Sequence, residues 1–228
     1  KQLLLFFFPL LFGSFFQQLY NTADAIVVGR FVGKEALASV GGGAGTLINL
    51  FVGFFVGLSA GVTVTISQCF GRKGFKEVKQ AIHTAVAFAI AAGSLLMVAG
   101  LILAPEILRW MNTPEAILNS STTYVRICFC GMISNLLYNI GAGILRALGD
   151  SKRPLYFLMI SCATNIILDI LFVLVFGLGV AGAAIGAVAA NALADDNSAS
   201  QAQAQEEKGG IPSWIWILLA AAVAFFIF

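Results

Sequence analysis

Charge is what this chain has least of. Only 11% of its 228 residues are Asp, Glu, Lys or Arg, against about 25% in a soluble domain, and that excludes a water-soluble globule. There is a single histidine, His83, too few for a His-based metal cluster or a Ser-His-Asp arrangement. At the start of an apolar stretch it reads as an interfacial side chain. The four cysteines, Cys69, Cys128, Cys130 and Cys162, lie in or beside apolar stretches and read as small buried thiols. The Cys128-x-Cys130 spacing has neither the gap nor the polar surroundings of a zinc knuckle. No cofactor and no enzymatic activity are expected. The net charge of +2 offers nucleic acid no surface, because the basic residues gather at the ends of apolar segments.

What is abundant is hydrocarbon: 59% of residues are apolar and the mean hydropathy is +0.93. A helix that crosses a bilayer needs about 20 apolar residues. Six segments meet or approach that length, at 3–29, 36–70, 80–104, 116–147, 154–177 and 179–194. The expected fold is therefore an all-α integral membrane protein. The opening run KQLLLFFFPLLFG lacks a small-residue cleavage site and reads as the start of the first spanning helix, with Pro9 bending it. The second and fourth segments exceed one span and should tilt or protrude. The sixth, GVAGAAIGAVAANALA, suits close helix packing. Glycines 41, 42, 43 and 45 have no Walker or Rossmann setting and should permit packing or bending in the second helix.

Composition shifts at residue 195. Residues 195–210, DDNSASQAQAQEEKGG, carry a net charge of −3 and no large apolar side chain, as a polar linker would. Residues 211–228 are eighteen uncharged residues with Trp214 and Trp216 at one end, the pattern of a seventh span with an interfacial belt. The expected division is a six-helix lobe over 1–194, a linker over 195–210 and an added transmembrane helix over 211–228. Orientation follows from the loops. Arg72, Lys73, Lys76, Lys79, Arg146, Lys152 and Arg153 occupy one set, and Arg30, Lys34 and Arg109 the other. The richer set marks the cytoplasm, so the N-terminus is expected there. Arg126, near the outer end of the fourth segment, should snorkel to the interface.

Within this hydrocarbon, Asp24 and Asp169 stand out. A carboxylate at the centre of a membrane costs about 2.5–3.5 kcal/mol on insertion scales and faces a partner or a water-filled path. Gln17, Asn21 and Asp24 fall at i, i+4 and i+7 with Tyr20 adjoining, which makes one polar stripe on the first helix. Ser161, Asn165 and Asp169 repeat the pattern on the fifth, and the fourth adds Asn135, Tyr138 and Asn139. Oxygen ligands of this kind suit Na+, and a carboxylate out of water suits proton exchange, so the two ions would compete for one site. The structural alternative is that each Asp only caps or bonds a neighbouring helix. A weak internal echo joins the two regions, NTAD before GKEALASVGGG and NIILD before GVAGAAIGAVAA.

Three stretches carry a family resemblance: PLLFGSFFQQLYNTADAIVVGRFVGKEALASVG, SAGVTVTISQCFGRK, and ILRALGDSKRPLYFLMISCATNIILDILFVLVFGLGVAGAAIGAV. With YNxxD, RAxGDxxxP and NxxxD together, residues 1–194 resemble the N-terminal lobe of the MATE (multidrug and toxic compound extrusion) family. The resemblance implies a six-helix MATE-like lobe from a twelve-helix, two-lobed exporter. Such exporters exchange H+ or Na+ for organic, often cationic, compounds across a bacterial-type inner membrane. It implies a coupling-ion region, possible for Na+, at Asp24, Asn165 and Asp169, with Asn21 beside it. Tyr138 is matched to a family tyrosine. Gln17, Tyr20, Asn135 and Asn139 are then candidates for the substrate cleft. A full member has a second lobe, whereas residue 195 here begins an acidic linker. The expected partners are membrane lipid, small organic cations, and a second copy in parallel orientation or a second lobe. The alternatives are a non-transporting fragment, fusion or scaffold, and a lipid-linked sugar flippase, since that superfamily shares the lobe architecture.

Overall fold

The computed structural model describes the backbone of residues 2–206, and side chains over 7–9 and 11–193. The expected span at 211–228 lies outside the described residues, as does the end of the linker. Among the described residues eight α-helices follow one another: α1 (Gln2–Val27), α2 (Lys34–Gly41), α3 (Gly43–Gly71), α4 (Phe75–Trp110), α5 (Glu115–Cys130), α6 (Met132–Ala147), α7 (Lys152–Asp169) and α8 (Gly179–Glu206). Two π-helical turns, Val28–Val32 and Ile170–Val175, extend α1 and α7. No strand occurs among the described residues. The chain is an all-α, multi-pass membrane protein, and the six apolar segments become six helical bodies in chain order.

Two of those bodies are broken where the sequence suggested tilt. The second divides at Gly42, whose backbone (φ −76°, ψ −129°) leaves the helix. A Cβ there would sit 2.6 Å from the Ala38 carbonyl oxygen, so only glycine fits the bend. Leaving the helix removes a ladder partner for Ser39, and the Ser121 hydroxyl donates to its carbonyl at 3.1 Å. The fourth segment divides at Gly131 into α5 and α6, bent by 47°. Val188 of α8 presses on that point, where a Cβ would lie 2.7 Å from its Cγ2. α4 runs beyond the expected 80–104, from Phe75 to Trp110, taking in Lys76, Glu77 and Lys79 at its start and Glu106 and Arg109 at its end. α8 continues past residue 194 to Glu206, since QAQAQE contains good helix formers. Pro9 lies within a continuous α1.

Lys34–Gly71, Phe75–Trp110 and Lys152–Val175 are each long and apolar enough to cross a membrane, and the bent α5–α6 pair passes the same test together. Large apolar side chains such as Phe15, Leu50, Leu95, Ile102 and Ile167 are exposed, as lipid-facing residues are. The main core lies among α3, α4, α5 and α6, around Phe55, Ile82, Leu108, Phe129, Leu136 and Ile140. A smaller one joins the two π-helical turns to α2 and α8 through Val28, Ala36, Val173 and Ala183.

Arg126 is bonded to the backbone of a neighbouring helix. Its Nε donates to the Leu101 carbonyl at 3.1 Å. Pro105 lies four residues further along α4 and has no N–H to offer that carbonyl. The arginine therefore supplies the bond that proline removes.

Candidate functional site

The first helix stripe forms as its spacing requires. Gln17, Tyr20, Asn21 and Asp24 all line a cavity of about 460 Å³. α6 closes it with Asn135, Tyr138 and Asn139, so Gln17, Tyr20, Asn135 and Asn139 share its wall. The amides are partly bonded along their own helices. Asn139 Nδ2 donates to Asn135 O at 2.8 Å and to Asn135 Oδ1 at 3.1 Å. Asn21 Nδ2 donates to Gln18 Oε1 at 3.3 Å. Ser59 of α3 donates to the Asn139 carbonyl, which fixes α6 against α3.

Asn165 and Asp169 do not line this cavity. Both are fully buried and lie behind Asp24, whose carboxylate is close enough to both for direct side-chain interaction. The packing of α1 against α7 brings the three together. Gly186 of α8 gives Asp169 its space, since a Cβ at that position would collide with Asp169 Oδ1. Ser161, the first member of the second stripe, is used differently. Its hydroxyl donates to the Ala190 carbonyl at 2.9 Å and joins α7 to α8.

The hydrogen bonding of this trio is incomplete. Asp24 Oδ1, both polar atoms of the Asn165 side chain and both oxygens of Asp169 are buried without a hydrogen-bond partner. An unsatisfied buried polar group costs about 1–3 kcal/mol, more when charged. Two adjacent carboxylates in apolar surroundings add mutual repulsion. One positive charge between them, a proton or a hard cation, relieves both penalties. The donor set is carboxylate and carboxamide oxygen, which suits an alkali or other hard cation. Among the described residues no group of three or more His, Cys, Asp or Glu forms a transition-metal site.

Sequence reasoning missed two neighbours of Asp24. Tyr124 and Cys128, one turn apart on α5, adjoin each other, line the cavity and lie within electrostatic range of Asp24, as does Tyr20. Tyr124 sits in the polar run NSSTTYVR, so nothing distinguished it from an interfacial residue. Tyr138 drew attention because two asparagines flank it. His83 and the glycines at 41–45 take no part in the cavity chemistry, although Gly41 and Gly45 form part of its wall.

The model of the MatE family matches residues 9–171. The chain belongs to that family. Among its relatives are two proteins of Bacillus subtilis (strain 168), each called a probable multidrug resistance protein. YoeA is 34% identical over 82% of this chain and 41% of its own length. YpnP is 31% identical over 85% of this chain and 43% of its own. This MatE chain thus spans about two fifths of the curated relatives it matches. A crystal structure of MATE in the bent conformation superposes with a TM-score of 0.78 at 26% identity, over 84% of this chain and 42% of that one. The straight conformation gives 0.85 at 24% identity, over 94% and 48%, a likeness of fold. An inward-facing structure matched at 0.75 and 25% identity is described as a multidrug resistance MATE family transporter of the MOP superfamily. Membership is thus in a transporter family and not a family of enzymes.

Proposed function

We propose that this chain is half of a cation-coupled multidrug antiporter, exporting organic, often cationic, compounds in exchange for H+ or Na+. The observation that carries the reading is the set of unpartnered buried oxygens at Asp24, Asn165 and Asp169, at the back of an open polar cavity. A cation bound there stabilises one arrangement of α1 against α7 and α8, and substrate in the cavity stabilises another. Coupling then follows from the different affinity of each arrangement for the two ligands. Asp24 is the exchangeable group because it alone of the three also faces the cavity. Asn165 and Asp169 complete the cation shell. The named relatives are called probable multidrug resistance proteins, which supports the same substrate class here. No lysine or arginine lines the cavity among the described residues, which argues against an anionic lipid-linked sugar as cargo.

In this reading residues 1–194 are the transporting lobe, 195–210 a linker and 211–228 a further span. The N-terminus faces the cytoplasm of an inner membrane. The open side of the cavity needs a facing wall, supplied by a second copy in parallel orientation or by a second lobe. Mass measurement of the purified chain in detergent and in nanodiscs tests this, followed by efflux from vesicles containing it. A dimer that exports a fluorescent organic cation under a proton or Na+ gradient supports the reading. A monomer without gradient-driven efflux supports a non-transporting scaffold instead.

A further inference from the structure

Two short loops carry the basic residues of one end of the lobe, and their electrostatics differ. In the turn between α6 and α7, Asp150 occupies the centre of the charge. Its Oδ1 accepts from the Lys152 and Arg153 backbone N–H groups at 3.1 and 3.2 Å. Its Oδ2 pairs with Arg153 Nε at 3.0 Å. Asp150 thus pairs with one of that loop's three cations, Arg153. In the turn between α3 and α4, no carboxylate among the described residues pairs with Arg72, Lys73, Lys76 or Lys79. The one acid nearby, Glu77, folds back over Gly74 at the start of α4, where a carboxylate offsets the helix dipole.

The bare loop is also a tight, hydrogen-bonded turn flanked by aromatic rings. Lys73 takes a left-handed conformation (φ 59°). Its N–H donates to the Phe70 carbonyl at 2.9 Å, and that of Gly74 donates to Cys69 at 3.0 Å. This tight reversal brings Phe70 and Phe75 together edge to face, with centroids 6.2 Å apart. Both rings are exposed, Phe75 by 66% and Phe70 by 41%. Exposed aromatic rings beside unpaired cations at the end of two spanning helices match the two layers of a phospholipid. The rings suit the acyl boundary and the cations suit the phosphate.

We propose that the α3–α4 turn, through Arg72, Lys73, Lys76, Phe70 and Phe75, is a docking site for the headgroup of an anionic phospholipid. The occupant is a lipid and not a free anion, because free phosphate would leave the two rings unpaired with anything apolar. The test uses the full chain purified in a non-ionic detergent and titrated with phosphatidylglycerol or phosphatidylcholine. Bound lipid is counted by native mass spectrometry and thermal stability is followed in parallel. Phosphatidylglycerol is expected to bind in preference and to lose affinity with added salt. R72Q/K73Q/K76Q should weaken it about a hundredfold, from about 1 kcal/mol per charge. Phe75→Ser should weaken both lipids by roughly tenfold while leaving the salt dependence in place. Lys152→Gln, in the other basic loop, should leave binding unchanged.

Three results overturn the proposal. One is undiminished phosphatidylglycerol binding in the triple variant. Another is an equal loss in Lys152→Gln, which would reduce the effect to net charge. The third is an equal thermal shift from inorganic phosphate alone, which would make the turn a free-anion site.

Discussion

Asp24 and Asp169 stand near the ends of two helices built alike, yet only Asp24 meets the cavity. In both places the acid is followed by a π-helical turn, Val28–Val32 or Ile170–Val175. A glycine with positive φ then reverses the chain, Gly33 at 121° and Gly177 at 64°. The two π-helical turns pack on each other through Val28 and Val173. The environments diverge because of what covers each helix. α1 lies at the side of the bundle with its polar stripe open to the cavity, so Asp24 is only partly buried. α7 is covered by α8, whose Gly186 lets the backbone come down on Asp169 and shut it from solvent. The same local design thus leaves one acid open to the cavity and closes the other off from it.

The sharpest way to break this comparison is to remove each charge in turn. Asp24→Asn should abolish the dependence of substrate affinity on pH and Na+, a loss of about 1–3 kcal/mol of coupling. Asp169→Asn should keep substrate affinity and weaken the cation instead. Titration of a fluorescent organic cation at two pH values, with and without Na+, separates the outcomes. Identical behaviour of the two variants would end the distinction.

A smaller effect is expected from crowding one acid alone. Gly186→Val should force α8 away from Asp169 at a cost of about 1–3 kcal/mol, and weaken cation-dependent thermal stabilisation. Substrate binding at the Asp24 wall should change little by comparison. If substrate affinity collapses with cation affinity, the two acids form one indivisible site.

The least effect on either acid should come from the Arg126 bond, which lies outside both regions. Arg126→Met should cost about 1.5–3 kcal/mol of stability, the range for a charge-assisted hydrogen bond, and leave cation dependence intact. In a Pro105→Ala background the Leu101 carbonyl regains a helical partner, so the same substitution should cost far less. Equal losses in both backgrounds, read from denaturation curves, would show that Arg126 acts elsewhere.

Much of this was legible in the chain itself. The six apolar segments needed only hydropathy, and the two aspartates were conspicuous because an acid among Phe, Leu and Ile has no bland neighbours to hide it. Asn165 was readable from its one-turn spacing to Asp169. The bend at Gly42 was foreshadowed by four glycines within five residues. Gly131 was not, being a single glycine in an apolar run whose meaning depends on Val188 nearly sixty residues later. Tyr124 was passed over for Tyr138 because local polarity does not reveal which way α5 faces. Arg126 looked like an interfacial residue because its partner carbonyl is freed by a proline on another helix.

The sequence by itself determined that this is a membrane protein, where its apolar segments run, and which polar residues are costly in lipid. Those properties are local, since the transfer of a side chain from water to hydrocarbon depends on that side chain and its helix. Tertiary structure alone decided that Asp24 and Asp169 come within interaction range of each other, that only Asp24 reaches the cavity, and that Tyr124 and Cys128 lie beside Asp24. These are relations between helices, set by which small residues let two backbones approach, and no single segment records its neighbour.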